Sequence, residues 1–472
     1  MLKIYINRIT AATLAVVITI TSLTFTVSAA YEPEQDPKSE GVYMVNTDTD
    51  IVLYKKNEKM KLYPASLTKI MTCLITLEKV KDLDQKVEIT YDATNEFFGD
   101  DPNKQGPSVA SFAVGQDNLT YRDCLYGLMI VSGCEAANVL ALNVAGDIET
   151  FVGMMNEEAA RLGCENTHFG NAHGLHQPDN YSCAYDMYLI TRYAYDTYPE
   201  FMEIANTTEY TFPANVHNPN PYTMQSTNQL IRGYVGNDNY YEFAAGVKTG
   251  SIDRIYDMQT KEWAEGSSNL VSTATKQGFT YMLATLGAPY HDATGAKHLF
   301  SFEDHIALYR WAFGEFSYKQ VLSKNDPLGE IPVTQGKNAD HVILFPADDY
   351  STILNRKMDD SSVLKDIELT EASAVAPVEK GQILGSVKLR LSGEELVSIP
   401  LVAGESVDRS TAAHIADLAV KMTQTIWFRV LITILGIMVV LTVSANIVSR
   451  SRRDRKHVRP VARSRSGVKR RK

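Results

Sequence analysis

The chain has 472 residues, 44% of them hydrophobic and 22% charged, with a formal net charge of −10. That length accommodates about two or three domains, and the composition excludes a chain disordered throughout or a multi-span membrane protein; the acidity gives no nucleic-acid-binding footprint. Five cysteines are too few and too scattered for a disulfide scaffold, and their odd number leaves at least one thiol unpaired within the chain.

The charge is unevenly placed. Residues 450–472 hold twelve Lys or Arg against one acid, Asp454, whereas residues 31–449 carry −23. Residues 1–30 read as a cleaved secretory signal: Lys3 and Arg8, an apolar run from Ala11 to Val27, then small residues at Ser28-Ala29-Ala30. From 41 to 56, two β-rich runs flank an Asn-Thr-Asp-Thr-Asp turn, a hairpin signal. Pro64 precedes ASLTKIMTCLITLEKV, an apolar helical stretch over 65–80. Helical pieces follow near 120–131, 135–145 and 149–162, and 165–181 is loop-like, rich in Asn, His and Gly. AAGVKTGS closes a strand-like run, the polar stretch 252–266 reads as a loop insertion at a cleft rim, and LVSTATKQGFTYMLATLGAP reads as two strands about a Lys276-Gln277-Gly278 turn. A helix is expected over 301–314. Residues 327–410 alternate in short runs punctuated by Pro, Gly and Asp, the texture of a small all-β module. A helical linker, 411–429, leads to Val430–Val448, nineteen residues without a charge. At ~1.5 Å per residue that run spans ~28 Å, close to a bilayer's hydrocarbon core. The positive-inside rule places the basic tail, 449–472, in the cytoplasm and the acidic body outside.

Ser66-Leu67-Thr68-Lys69 opens the helix after Pro64. Residues three apart return to one helix face, so hydroxyl and amine can touch. Serine attacks well only when a base takes its proton. A free lysine titrates near ~10.4, and lowering it to ~7–8 needs roughly 4 kcal/mol of burial or like-charge repulsion. S-x-x-K also occurs at 362–365 and 466–469, but only the first lies in an apolar helix. Two later motifs join it: Ser132-Gly133-Cys134 between helical pieces, and Lys248-Thr249-Gly250 at the end of a strand. Ser132 suits proton relay. Lys248 and Thr249 suit carboxylate binding, with Lys248 as the cation that lowers Lys69, and Gly250 lets the strand backbone approach substrate. The order S-x-x-K, S-x-polar, K-T-G resembles the penicillin-binding proteins and class A β-lactamases.

Over about residues 31–410 the chain resembles the serine-type D-alanyl-D-alanine carboxypeptidases, the low-molecular-mass penicillin-binding proteins, in YPASLTKIMTCLITLE, VSGCEAANVLA, FGNAHGLHQPDNYSCAYDM and GVKTGS. The resemblance implies an α+β fold of the penicillin-binding-protein/β-lactamase-like transpeptidase type over 31–320: an antiparallel sheet flanked by helices plus a helical subdomain, followed by a small all-β domain over 327–410 and one C-terminal transmembrane helix. It implies that Ser66 is acylated, Lys69 is the base and Ser132 assists proton transfer. Lys248, Thr249, Gly250, Cys134 and Ser251 line the substrate site, and the N–H groups of Ser66 and Ser251 hold the oxyanion. The implied substrate is a peptidoglycan stem peptide ending in D-Ala-D-Ala, with β-lactams as covalent inhibitors and no cofactor or metal.

The chain departs from that family at Cys134, where Asn is usual, in the polar stretch 252–266, and in carrying a full spanning segment. His168, His173 and His176 match no usual zinc spacing and read as a structural loop; Cys73, one turn beyond Lys69, reads as a core thiol. The alternatives that share the motifs are a DD-endopeptidase, a β-lactamase, for which no E-x-x-L-N segment is found, and a catalytically silent binder of wall peptides or β-lactams.

Overall fold

The computed structural model describes residues 33–95, 102–104, 106–391 and 393–455. The expected signal segment 1–30 and residues 456–472 of the basic tail lie outside the described residues. The chain divides into two units, one reaching Lys319 and including Thr352–Asp359, the other comprising Gln320–Ser351 and the chain from Asp360 onward.

The first unit begins with the expected hairpin, β1 (Gly41–Asn46) and β2 (Ile51–Lys56). A 3-10 turn, Ala65–Leu67, runs directly into helix α1 (Thr68–Lys79). The helical block holds α2 (Tyr91–Asn95), α3 (Tyr121–Met129), α4 (Cys134–Ala145), α5 (Ile148–Arg161), α6 (Ala184–Thr197) and α7 (Pro199–Ala205). Local chemistry sets its boundaries. Thr120 and Asp123 form a reciprocal capping box at the start of α3. Gly146 ends α4 in the left-handed region, and the Asp147 carboxylate then accepts the Thr150 N–H to start α5.

A small ribbon, β3 (Glu209–Phe212) with β4 (Tyr222–Gln225), precedes the long strands β5 (Ala244–Tyr256), β6 (Trp263–Lys276) and β7 (Phe279–Pro289) and helix α8 (Phe300–Glu315). Among the described residues the main sheet has five strands in the order β2-β1-β7-β6-β5, antiparallel throughout, so β5 is an edge. The β6–β7 hairpin turns at Gln277-Gly278, as the sequence indicates. The polar stretch 252–266 does not form a loop insertion. Arg254 pairs with Glu265 and Tyr256 with Trp263, so β5 and β6 simply extend as a hairpin, turning over 257–262. Its residues are exposed or half-buried apart from Gly266, with no buried apolar face, which is why the sequence lacks a strand signal there.

Strand alternation buries both faces of the sheet. Val42 and Met44 face Phe302 and Tyr309 of α8, whereas Tyr43 and Val45 face the helical block with Leu67, Ile70 and Leu74. Full burial of such side chains contributes about 1.5–3 kcal/mol each. A buried polar cluster pins α8 to the sheet: the His305 ring bonds the Ser272 hydroxyl at 2.7 Å and the Thr285 hydroxyl at 3.0 Å.

Beyond α8 the chain runs through β8 (Phe316–Leu322), β9 (Gly329–Thr334), β10 (His341–Pro346), β11 (Tyr350–Asn355), β12 (Leu364–Leu369), β13 (Ala374–Val375), β14 (Ile383–Leu391) and β15 (Glu394–Ala403). Among the described residues a six-stranded sheet in the order β12-β14-β15-β10-β9-β13 forms the second unit's core, with Val387, Leu389, Ile399 and Leu401 buried. Helix α9 (Thr411–Gln424) follows, then α10 (Ile426–Arg455). Within α10, Ile426–Ser451 is 26 residues long and apolar enough to cross a membrane; it contains the expected span 430–448.

Candidate active site

The turn before α1 aims Ser66. Pro64 opens it, and Ala65 takes a positive φ of 51°. The neighbouring loop holds it in place. Gly174 lies so close that a Cβ there would sit 2.1 Å from the Ala65 carbonyl oxygen. The Asn269 side-chain amide on β6 donates to the Tyr63 carbonyl at 3.0 Å, tying the turn to the sheet.

Lys69 lies in the first turn of α1 and is fully buried. Its Nζ donates to Ser66 Oγ at 3.0 Å, lies 3.6 Å from Cys134 Sγ, and donates to the main-chain carbonyl of His173. One turn along, Thr72 donates to the Ala172 carbonyl at 2.6 Å. The 171–174 loop thus presents two successive carbonyls to one helix face. Nothing in the sequence marks His173 for this role, because its contribution is a backbone oxygen. Burial holds the Lys69 amine below the ordinary lysine range, opposed by the Cys134 and Glu135 groups nearby. Lys248 on β5 is also buried, donates to the Thr249 carbonyl at 2.9 Å, and is held well below the ordinary range by burial and then by the Lys69 charge. Desolvation, rather than repulsion from Lys248, is therefore the main cause at Lys69.

Ser132 adopts a positive φ of 67° in the turn before α4 and lines the cleft. Cys134 begins α4, its N–H donating to the Ser108 carbonyl at 2.8 Å. It is the middle motif's contact to Lys69, and burial raises its thiol above the usual range, so the sulfur is a protonated neighbour of the amine. Glu135, one residue on, is 3% exposed; its Oε1 accepts the Ala110 N–H at 2.6 Å and the Phe112 N–H at 3.4 Å, and burial raises its carboxyl to about 7. The sequence gives no sign of this group, which staples the cleft wall to α4.

Ser66, Ser132, Cys134, Thr249, Gly250 and Ser251 share one cleft of about 780 Å³. Lys69 and Lys248 lie behind it, joined to it through Ser66 and Thr249. Gly250 does more than admit substrate. A Cβ there would lie 2.7 Å from the Pro64 carbonyl oxygen, so glycine lets β5 pack against the turn that carries Ser66. The Thr249 hydroxyl bonds the Thr227 hydroxyl at 2.7 Å. All five cysteines are free and buried, Cys73 among them. This arrangement offers a hydroxyl beside an amine shifted toward its neutral form, which is the requirement for acyl transfer through serine.

Residues 26–290 match the family described as D-alanyl-D-alanine carboxypeptidase, and residues 316–409 match the penicillin-binding protein 5 C-terminal domain. The D-alanyl-D-alanine carboxypeptidase DacF of Bacillus subtilis is 28% identical over 382 residues, covering 79% of this chain and 87% of the relative. DacC of Escherichia coli is 29% identical over 360 residues, covering 76% and 81%. Among solved structures, penicillin binding protein 5 from Haemophilus influenzae aligns with a TM-score of 0.56 at 24% identity, over 79% of this chain and 99% of that one. The architecture expected from the sequence, a mixed α/β catalytic fold followed by an all-β C-terminal domain, is the one these proteins share.

Proposed function

The chain belongs to the D-alanyl-D-alanine carboxypeptidase family of serine hydrolases, and from that premise we propose that it trims the last D-alanine from peptidoglycan stem pentapeptides through an acyl-enzyme on Ser66. The observation that carries this reading is the 3.0 Å contact between Lys69 Nζ and Ser66 Oγ, with the amine fully enclosed and shifted toward its neutral form.

The stem peptide lies along the free edge of β5 as an added strand, its terminal carboxylate near Thr249. Ser66 Oγ attacks the carbonyl between the two D-alanines while its proton passes to Lys69. The N–H groups of Ser66 and Ser251 hold the oxyanion; one such donor typically contributes about 2.7–4 kcal/mol. The C–N bond then breaks, the leaving amine takes a proton by way of Ser132, and free D-alanine departs. Water, deprotonated by the same amine, hydrolyses the ester and restores Ser66. A β-lactam enters by the same attack, its ring amide opening onto Ser66. The catalytic domain, residues 31–320, works outside the cell, held by the apolar helix over 430–448 after removal of residues 1–30, with the basic tail 449–472 in the cytoplasm.

Incubation with a stem pentapeptide tests the proposal. Stoichiometric free D-alanine and a tetrapeptide product by mass are expected, both absent in Ser66→Ala. Cleavage only of cross-linked dimers would assign the chain to endopeptidases instead.

A further inference from the structure

The carboxylate that marks the end of a D-Ala-D-Ala substrate needs a positive charge, and Lys248 is poorly placed to give one. It is 1% exposed, its amine is engaged by the Thr249 carbonyl at 2.9 Å, and burial beside Lys69 draws it toward the neutral form. A guanidinium keeps its charge in any such setting. Among the described residues three other cationic side chains line the cleft: Arg232, Arg254 and Lys297. Arg254 is five residues beyond Thr249 on the same strand, roughly 16 Å away at the rise of a β-strand. Lys297 lies over the Tyr290 ring, 4.9 Å from its centroid.

The Arg232 guanidinium also lies over a ring, that of Tyr234 at 5.1 Å from its centroid, but its bonds to backbone and side-chain acceptors fix it beside Thr227. Arg232 follows the short 3-10 turn Gln229–Ile231 and is half-buried. Its Nη1 donates to the Ser226 carbonyl at 3.2 Å and its Nη2 to the Gln225 side-chain oxygen. Both acceptors are neutral, so neither cancels its charge, and these two bonds use two of its five N–H donors among the described residues. The next residue after Ser226 is Thr227, whose hydroxyl bonds the Thr249 hydroxyl at 2.7 Å. Two hydroxyls and a fixed cation therefore line the same stretch of cleft wall beside the K-T-G strand.

We propose that Arg232 is the fixed positive charge that receives the substrate's C-terminal carboxylate, with the hydroxyls of Thr249 and Thr227 completing the receptor. Lys248 then supports the strand and its carbonyl from behind. The inference rests on the carboxypeptidase reading of the cleft and adds to it the group that selects a free chain end.

The test compares an N-acylated L-Lys-D-Ala-D-Ala peptide with the same peptide amidated at its C-terminus, using the detergent-solubilised full chain. The wild type is expected to favour the free acid strongly. Arg232→Gln should lower kcat/KM for the acid by about 10–100-fold, mainly through KM, and leave the amide unchanged, so that the acid-to-amide ratio collapses. Arg232→Lys should recover part of the ratio, as a point charge without the planar fork. If Arg232→Gln fails to fold by thermal melt, Arg232→Lys carries the test, with a several-fold drop in the ratio expected. A ratio equal to that of the wild type in the folded variants, whether both rates fall or neither does, overturns the inference, as does a wild type indifferent to amidation. A wild type that releases D-alanine or its amide from neither peptide overturns the carboxypeptidase reading itself, and this inference with it.

Discussion

Gly250 meets the Pro64 carbonyl so closely that a single added carbon would lie 2.7 Å from that oxygen and 3.1 Å from the Leu67 nitrogen. Two motifs separated by almost two hundred residues are thereby in backbone contact, and the glycine that ends K-T-G fixes the distance from the strand to the nucleophile's turn.

Gly250→Ala should therefore push the Ser66 turn away from β5. The cost of forcing a methyl group into packed backbone is about 1–3 kcal/mol. Thermal unfolding should shift down and acylation by a fluorescent penicillin should slow. Gly153→Ala is the control: its site in α5 is open, and helix propensity favours alanine by up to about 1 kcal/mol. Equal melting temperatures for the two variants would contradict the close approach.

Lys69→Ala should reduce the acylation rate by at least about 100-fold, because it removes the amine that bonds Ser66 Oγ and takes its proton. In the wild type the reactive form is the neutral amine, whose fraction grows with pH. Acylation should thus rise with pH to a midpoint below the ordinary lysine range, since burial lowers the Lys69 pKa. A midpoint at or above that of a free lysine would remove Lys69 as the base.

Glu135 predicts a pH effect of opposite sense on stability. Burial raises its carboxyl from 4.5 to about 7, so between those values the folded chain holds a proton that the unfolded chain has released. The resulting stabilisation is complete below the unfolded pKa and is lost as pH rises through about 7. Glu135→Gln abolishes the titration. Relative to wild type, its melting temperature should climb between pH 5 and pH 8, by the equivalent of up to about 3 kcal/mol. A difference independent of pH would mean that the carboxyl does not titrate in this window.

Cys134 sits where the family usually has Asn, 3.6 Å from Lys69 Nζ. Its thiol is held protonated by burial and acts as a weak partner for the amine. Cys134→Asn should retain acylation to within about 10-fold, since the amide oxygen can accept from the same nitrogen. Complete loss of labelling would show that the sulfur is essential.

Truncation before Ile426 removes the apolar helix and leaves α9 intact. The shortened chain should be soluble without detergent and release D-alanine at an unchanged kcat. Activity that disappears on truncation in a folded product would make the helix part of the catalytic machinery.

The three motifs were legible because each couples rare chemistry to a local pattern. Ser66 and Lys69 are three apart at a helix start, and that spacing alone brings hydroxyl and amine together. The β1–β2 and β6–β7 hairpins were legible from turn residues between alternating runs. The extension of β5 and β6 beyond Ile252 was not, since an exposed ribbon needs no apolar alternation. Nor was the His173 carbonyl on Lys69, because every residue has a carbonyl and only the fold selects one.

By itself, then, the amino-acid order determined the chemistry available to this protein: a serine with a lysine one helical turn away, a second serine motif, and a lysine-threonine-glycine strand. Local geometry and side-chain type suffice for that, as both act over a few residues. Which of those groups is charged was decided only when distant segments enclosed them. Lys69 and Lys248 lose their hydration by packing against elements up to a hundred or so residues away, while the acceptors bonded to Arg232 at the cleft wall are neutral. Solvation is a property of the assembled volume around a group, and no stretch of sequence contains that volume.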